Sequence, residues 1–263
     1  MSRPVALITG AARGIGAAVA AVLATQGWDL VLGDVPGPHA VPGLTYPLAS
    51  ADDLAAVAKS CRALGARART AGCDVRYPDQ VQALVQLAGP DLRAAIAVAG
   101  VLGADGRAWE LTPENLDLDL SVNFHGVANL ARAAVPVLLA APDPARCRVV
   151  AVVSSAAERG LPRLAGYVAA KHAALGYVRS LAADLAPFGV TANAVLPGST
   201  RTALLSRTAQ AYGLRSPEDF AANQRIGRLL DPREIAQAVA WLCSDAATGV
   251  TGTYISVDGG FTG

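Results

Sequence analysis

The sequence is short of nearly everything that marks a chain for nucleic acid, membrane or metal. Aromatic residues make up 5% and histidine occurs three times, so neither a stacking platform for single strands nor a metal cluster is expected. Charged residues make up 16% and almost cancel, at +1, which calls for no nucleic acid, anionic membrane or acidic partner. The four cysteines, at 61, 73, 147 and 243, lie far apart and form no CxxC pair, against a zinc or thioredoxin-type site. No apolar run spans a bilayer, since Arg132 and its neighbours interrupt the best candidate. The start, Met1-Ser2-Arg3-Pro4, runs directly into Val5–Ile8 and then a glycine loop instead of a cleavage site. A reduced, cytoplasmic protein is the expectation.

What the chain does have is apolar residues, 52% of 263, enough for a substantial core and too many for disorder. They fall into short continuous runs separated by amphipathic stretches. Val5–Thr9, Leu30–Asp34, Ala68–Asp74, Ala94–Ala99, Val149–Ser154, Val190–Leu196 and Thr253–Val257 read as strands, most without in/out alternation. That is the pattern of strands covered on both faces. Helices are expected over Gly14–Gln26, Ala51–Leu64, Pro78–Ala88, Pro113–Leu139, Gly166–Ala186 and Pro232–Ser244. Thr112-Pro113 and Asp231-Pro232 are start signals, and Gly65 is a stop signal. Strand–helix alternation predicts an α/β fold: a Rossmann-like, doubly wound, parallel seven-stranded sheet with helices on both faces. Nothing divides residues 1–263 into more than one domain. The segment 199–230 breaks the alternation and is expected to form a small helical substrate lid. Pro36–Pro47 reads as a long loop.

Thr9-Gly10-Ala11-Ala12-Arg13-Gly14-Ile15-Gly16 sits between the first strand and the first helix. Glycines at such a turn let backbone amides approach a pyrophosphate at a helix N-terminus, where the dipole favours negative charge. Asp34 ends the second strand about 20 residues on, where a carboxylate accepts hydrogen bonds from adenosine ribose hydroxyls. The same charge repels a 2′-phosphate, so NAD is favoured over NADP. Arg13 leaves the NADP reading open, because a basic residue in this loop suits a phosphate.

The spacing of that loop, Thr-Gly-x-x-x-Gly-Ile-Gly, resembles the short-chain dehydrogenase/reductase family, and the resemblance runs along essentially the whole chain. Asp74-Val75 matches the family's adenine contact. Ala97-Val98-Ala99-Gly100 stands where the family has Asn-Asn-Ala-Gly, so both asparagines are replaced while Ala99 and Gly100 are kept. Asn123, Ser154 and the pair Tyr167-x-x-x-Lys171 match its catalytic set. Asn193 to Gly198, with Thr202, resembles the segment that grips the nicotinamide carboxamide, and Val257-Asp258-Gly259-Gly260 is an ending of the family type. The resemblance implies a cofactor site made of Gly10, Arg13, Gly14, Ile15, Gly16, Asp34, Val35, Asp74, Val75, Ala99, Gly100, Tyr167, Lys171, Pro197, Gly198, Thr200 and Thr202. It also implies a homotetramer built on the helices of Pro113–Leu139 and Gly166–Ala186. Arg159-Gly-Leu-Pro, Tyr167 to Ala173 and Thr202-Ala-Leu-Leu resemble an actinobacterial subgroup associated with the peptide-derived carrier mycofactocin. That finer likeness implies NAD held tightly and recycled in place.

Tyr167 and Lys171 are four apart on one helix, so both leave the same face. A nearby ammonium is expected to lower the phenol's pKa towards a useful range, making Tyr167 the base for alcohol oxidation and the acid for carbonyl reduction. Ser154 is expected to polarise the substrate oxygen, with Ser155 its rival in Ser-Ser-Ala-Ala. Asn123 is expected to support a water leading from Lys171 to solvent. His39, His125 and His172 are read as exposed or packing residues; Arg201 and Arg207 are read either as lid residues that see substrate or, by default, as exposed arginines. Two other readings stay open: an NADP-dependent carbonyl reductase, and a non-catalytic dinucleotide sensor on the same fold. The lid's Leu204, Leu205, Tyr212 and Leu214 suit a hydrophobic alcohol or ketone.

Overall fold

The computed structural model describes residues 3–35, 37 and 39–263; Met1 and Ser2, and Pro36 and Pro38 of the expected loop, lie outside them. Seven strands form one parallel sheet: β1 Val5–Thr9, β2 Asp29–Asp34, β3 Ala68–Gly72, β4 Leu92–Ala97, β5 Arg148–Val152, β6 Thr191–Pro197 and β7 Tyr254–Val257. Their order is β3-β2-β1-β4-β5-β6-β7, the doubly wound arrangement expected. The chain winds outward from β1 to β3 on one side and from β4 to β7 on the other, so order reverses between β1 and β4. A crevice opens at the carboxyl ends of the strands at such a switch point.

Each central strand feeds two cores. In β1, Val5 and Leu7 face one core while Ala6 and Ile8 face the other. Alternate side chains of an extended chain point to opposite faces, so a strand buried on both must be apolar throughout. One core is closed by α1 Gly14–Thr25, α2 Ala51–Ala63 and α8 Pro232–Cys243. The other is closed by α3 Pro78–Ala88, α4 Pro113–Asn123, α5 His125–Leu139 and α6 Ala165–Leu185. The edge strand β3 leaves Arg69 and Thr70 exposed, which is why it is not a continuous apolar run. The boundary signals act as read: Thr112 and Asp231 each form a capping box, and Gly65 takes φ +89° just beyond α2.

Several strand ends shift by one or two residues from the sequence reading, and two differences have a physical reason. The stretch 113–139 is two helices, broken at Phe124 with φ −111° and ψ −58°. Beside the break, the Asn123 side chain donates to the Asp119 carbonyl at 3.0 Å. A side-chain amide competing for a backbone carbonyl is a local way to turn a helix, and periodicity alone does not register it. β5 also starts one residue earlier, at Arg148, which is fully buried. Its Nη1 donates to Ala145 and Cys147 carbonyls at 2.7 and 2.9 Å, and burial lowers its pKa. Arginine is rarely fully buried without a paired carboxylate, so its residue type gives no sign that the strand begins there.

The segment 199–230 forms α7 Ala203–Ala211 and a 3-10 stretch Pro217–Asn223 outside the sheet. Among the described residues no helix is long and apolar enough to cross a membrane, no cluster of metal-ligating side chains occurs, and the four cysteines are free and buried.

Candidate active site

A cavity of about 940 Å³ lies over the carboxyl ends of the strands. Every residue expected in the site lines it except Asn123. At its floor the β1–α1 turn is packed to contact. Gly10 takes φ +67°, and a Cβ there would lie 2.6 Å from the backbone of Ala99; a Cβ on Gly16 would lie 2.0 Å from the Gly10 carbonyl oxygen. The loop therefore needs glycine for space as well as for conformation, and Gly14, Ile15 and Gly16, the first turn of α1, line the cavity, where the first amides of a helix have no partner within it.

Asp34 is held at the end of β2. Its Oδ2 accepts from the Ala12 amide and its Oδ1 from the Val35 amide, each at 2.8 Å. Burial raises its pKa, opposed by those two hydrogen bonds and by Arg13. Each carboxylate oxygen keeps lone pairs for a diol facing the cavity. Arg13 is otherwise engaged: both terminal nitrogens donate to the Pro47 carbonyl at 3.3 Å. Asp74 reaches the cavity wall, but its carboxylate is gripped by Arg76, with Nη2 at 2.6 Å from Oδ2. These features fit a dinucleotide whose ribose carries free hydroxyls better than one carrying a 2′-phosphate.

At Ala97 and Val98, where the resemblance would place asparagines, the loop is held by other contacts. The Val98 amide donates to the Thr9 hydroxyl at 3.3 Å. Asn123 holds the next part of the loop from both sides, its Oδ1 accepting from the Val101 amide at 3.2 Å and its Nδ2 donating to the Val101 carbonyl at 3.0 Å. Asn123 is thus fully buried behind the cavity wall. It still adjoins the reacting groups, because a Cβ on Gly100 would meet Asn123 Oδ1 at 2.9 Å and Lys171 Nζ at 3.4 Å.

Tyr167 and Lys171 project from the first turns of α6, with Nζ 5.6 Å from the Tyr167 ring centre. Tyr167 is hydrogen-bonded to Ser154, at the end of β5, while Ser155 is buried in the following 3-10 turn. Geometry thus favours Ser154 over its neighbour. Burial pushes the Tyr167 phenol up to about 12 and pulls the Lys171 ammonium down to about 8. The expected lowering of the phenol by the ammonium is not seen: desolvation penalises both charged forms at once.

Several residues escaped the sequence reading. Tyr46 reaches in from the segment after β2, its hydroxyl accepting from the Leu102 amide at 2.9 Å. Val41, Tyr46 and Leu48 all line the cavity, and Arg76 holds the Ala40 carbonyl at 3.2 Å. A Pro- and Gly-rich loop carries no periodicity to show that it crosses a cleft. Asp105 is a second omission. It accepts from Arg207 of α7 at 2.7 Å and from Arg163 at 2.8 Å, so Arg207, with 11% of its side chain exposed, is not the exposed residue expected. Arg201 is exposed and paired with Glu218. Thr202 caps α7 and lies against Gly14, whose Cβ would meet its Cγ2 at 3.3 Å. His39, His125 and His172 are exposed and do not line the cavity.

Comparison with known proteins agrees with this geometry. A family model of the short-chain dehydrogenase/reductase type, described as enoyl-(acyl carrier protein) reductase, matches residues 10–262. Similar proteins include the cyclohexanol dehydrogenase of Acinetobacter sp. (strain SE19), 34% identical over 98% of this chain and 94% of that protein. The cis-4-hydroxycyclohexanecarboxylate dehydrogenase of Sinomonas cyclohexanicum is 36% identical over 98% of this chain and 96% of its own. Among solved structures, carveol dehydrogenase from Mycobacterium avium in complex with NAD superposes with a TM-score of 0.91, at 30% identity and coverage of 98% and 97%. The chain belongs to the short-chain dehydrogenase/reductase family and is one of its oxidoreductases.

Proposed function

We propose that this protein is an NAD(H)-dependent dehydrogenase of apolar cyclic secondary alcohols, working reversibly on the corresponding ketones. The observation that carries the proposal is that one cavity joins the Asp34-bearing dinucleotide cradle to the buried Ser154, Tyr167 and Lys171 cluster. A sensor has no use for a buried phenol hydrogen-bonded to a serine at the far end of that cleft. The substrate end is walled by Leu161, Leu204, Leu205, Tyr212 and Phe220, which suits a compact hydrocarbon ring. A relative named for cyclohexanol and a solved structure named for carveol support the same class.

The cofactor is NAD. Its phosphates would be held by Gly10 to Gly16, its adenosine ribose by Asp34 with Val35 beside it, its adenine by Asp74 and Val75, and its nicotinamide half by Ala99, Gly100, Lys171, Pro197, Gly198, Thr200 and Thr202. When bound, the nicotinamide supplies the hydride acceptor or donor, and its positive charge in the oxidised form favours a neighbouring phenolate. Ser154 donates to and orients the substrate oxygen. Tyr167 takes the hydroxyl proton during oxidation and returns it during reduction. Lys171 holds the nicotinamide ribose and stabilises the phenolate, while Asn123 fixes the loop beside it and supports the path of the proton to solvent.

The segment 39–49 gives this cofactor site a cover, through the Tyr46–Leu102 and Arg13–Pro47 hydrogen bonds. With that cover NAD stays bound between turnovers and is reoxidised in place; the likeness of Arg159 to Pro162 and Tyr167 to Ala173 to the mycofactocin-associated subgroup supports mycofactocin as the redox partner, and the likeness to the family a cytoplasmic homotetramer. The reading is tested by Asp34→Ser. Removing the carboxylate should weaken binding of NAD to nucleotide-stripped protein by about 10- to 150-fold and improve binding of NADP, the loss of one charged hydrogen-bonding partner being worth about 1.5–3 kcal/mol. An unchanged NAD/NADP preference would instead move cofactor choice to Arg13.

A further inference from the structure

Asp119 is a carboxylate buried beneath the catalytic helix, and nothing in the proton-transfer scheme uses it. It lies on α4, one turn before Asn123, and is 1% exposed. Its Oδ1 accepts from the Gly103 amide at 2.9 Å and lies 3.4 Å from Asn123 Nδ2. Its Oδ2 lies where two elements come closest: a Cβ on Gly103 would meet it at 2.9 Å, and one on Gly166 at 2.7 Å. Gly166 immediately precedes Tyr167 in the first turn of α6. The carboxylate thus touches the loop that follows Gly100 and the helix that carries Tyr167 and Lys171, and it fits there because both contacts are glycines.

The charged and titratable groups that face it are Lys171 and Tyr167 from α6 and Tyr46 from the segment after β2. Arg13 and Arg207 act on Tyr46 from the outer side. Lys171 has burial against its charge, and Asp119 is the one group that opposes that loss. The two form no direct ion pair; Asn123 and Gly100 stand between them. In a low-dielectric site a charge at that remove still acts strongly, since no water screens it.

We propose that Asp119 is the counter-charge that keeps Lys171 protonated, and the positioning residue that sets the Gly100–Gly103 loop against the Tyr167 helix. This rests on Tyr167 and Lys171 being the proton-transfer pair. Burial pushes Asp119 up to about 6, against the Gly103 hydrogen bond and Lys171, so its charge is present at neutral pH and is lost below that value. The sign follows. An ionised Asp119 favours the Lys171 ammonium and disfavours the Tyr167 phenolate, so removing its charge lowers both pKa values together.

The test reads Lys171 directly. Lysine occurs at positions 59 and 171 and nowhere else, and Lys59 is exposed on α2. Protein labelled with carbon-13 at lysine Cε therefore gives a spectrum in which Lys171→Met assigns the buried signal. In Asp119→Asn, which keeps the shape and an acceptor for Gly103, the Lys171 titration should move down by roughly one pH unit. The wild-type Lys171 signal should also show a second inflection near pH 6, a readout that needs no variant to fold. Absence of that inflection, or identical Lys171 titration in a folded Asp119→Asn protein, overturns the proposal. The pH profile of cyclohexanol oxidation separates this from the functional reading. Both limbs moving acid-ward with the NMR shift supports the two together. An NMR shift with no change in a measurable profile leaves the coupling standing and removes Tyr167 and Lys171 from proton transfer.

Discussion

Tyr167→Phe is expected to lower kcat for alcohol oxidation by about 10³-fold, the usual worth of a positioned acid–base group, while leaving nucleotide affinity within a few-fold. The ring is already packed in the wall of the cavity and phenylalanine keeps it, so no void is created. Only the hydroxyl goes, with its hydrogen bond to Ser154, at a stability cost of about 1 kcal/mol. Lys171 and Asp34 keep their places, so binding of NAD should survive. Steady-state kinetics alongside a fluorescence titration with NADH separate the two quantities. Turnover that persists in this variant would remove Tyr167 from the chemistry. A parallel collapse of nucleotide binding would make it a structural residue.

The second large effect is expected at Gly16. In Gly16→Ala the added carbon would stand 2.0 Å from the Gly10 carbonyl oxygen and 2.8 Å from its carbon. Both are backbone atoms, and Gly10 is itself pinned against Ala99. Nothing flexible can yield, so the turn must open or α1 must withdraw. The expected cost is about 3 kcal/mol of stability, the upper part of the overpacking range. Because amides at this turn approach the pyrophosphate, NAD affinity should fall by about 100-fold or more, equivalent to about 2.7 kcal/mol. A denaturant melt and an NAD titration measure the two effects. Wild-type affinity in a folded Gly16→Ala protein would mean that phosphate binding does not depend on this close approach.

The fold was legible in the sequence wherever burial is two-sided or a turn demands a special residue. Strands such as Val5–Thr9 read as strands because both faces are covered, and the glycine loop read as a cradle because a Cβ has no room. Asp231 and Thr112 were legible because capping is local. Legibility ended where a contact depends on distant chain segments. Nothing near Tyr46 indicates that its hydroxyl meets Leu102, 56 positions away, and Asp105 gives no sign that it ties α7 to the turn before α6. The break at Phe124 was hidden because no proline or glycine stands at it; the Asn123 amide turned back on the Asp119 carbonyl is a contact that sequence spacing does not register. Asp119 itself left a usable sign: it stands four residues before Asn123 and so on the same helical face. The pKa expectation for Tyr167 failed for a related reason. Spacing shows that a lysine is near, but it does not show that burial acts on both partners.

The most direct measurement is to denature freshly purified protein and identify the released nucleotide by mass spectrometry, with its amount set against the protein. Our account predicts NAD or NADH in stoichiometric amount, held by the Asp34 cradle under the Tyr46 cover. Recovery of NADP, or of no nucleotide from protein that also fails to bind added NAD, would contradict it.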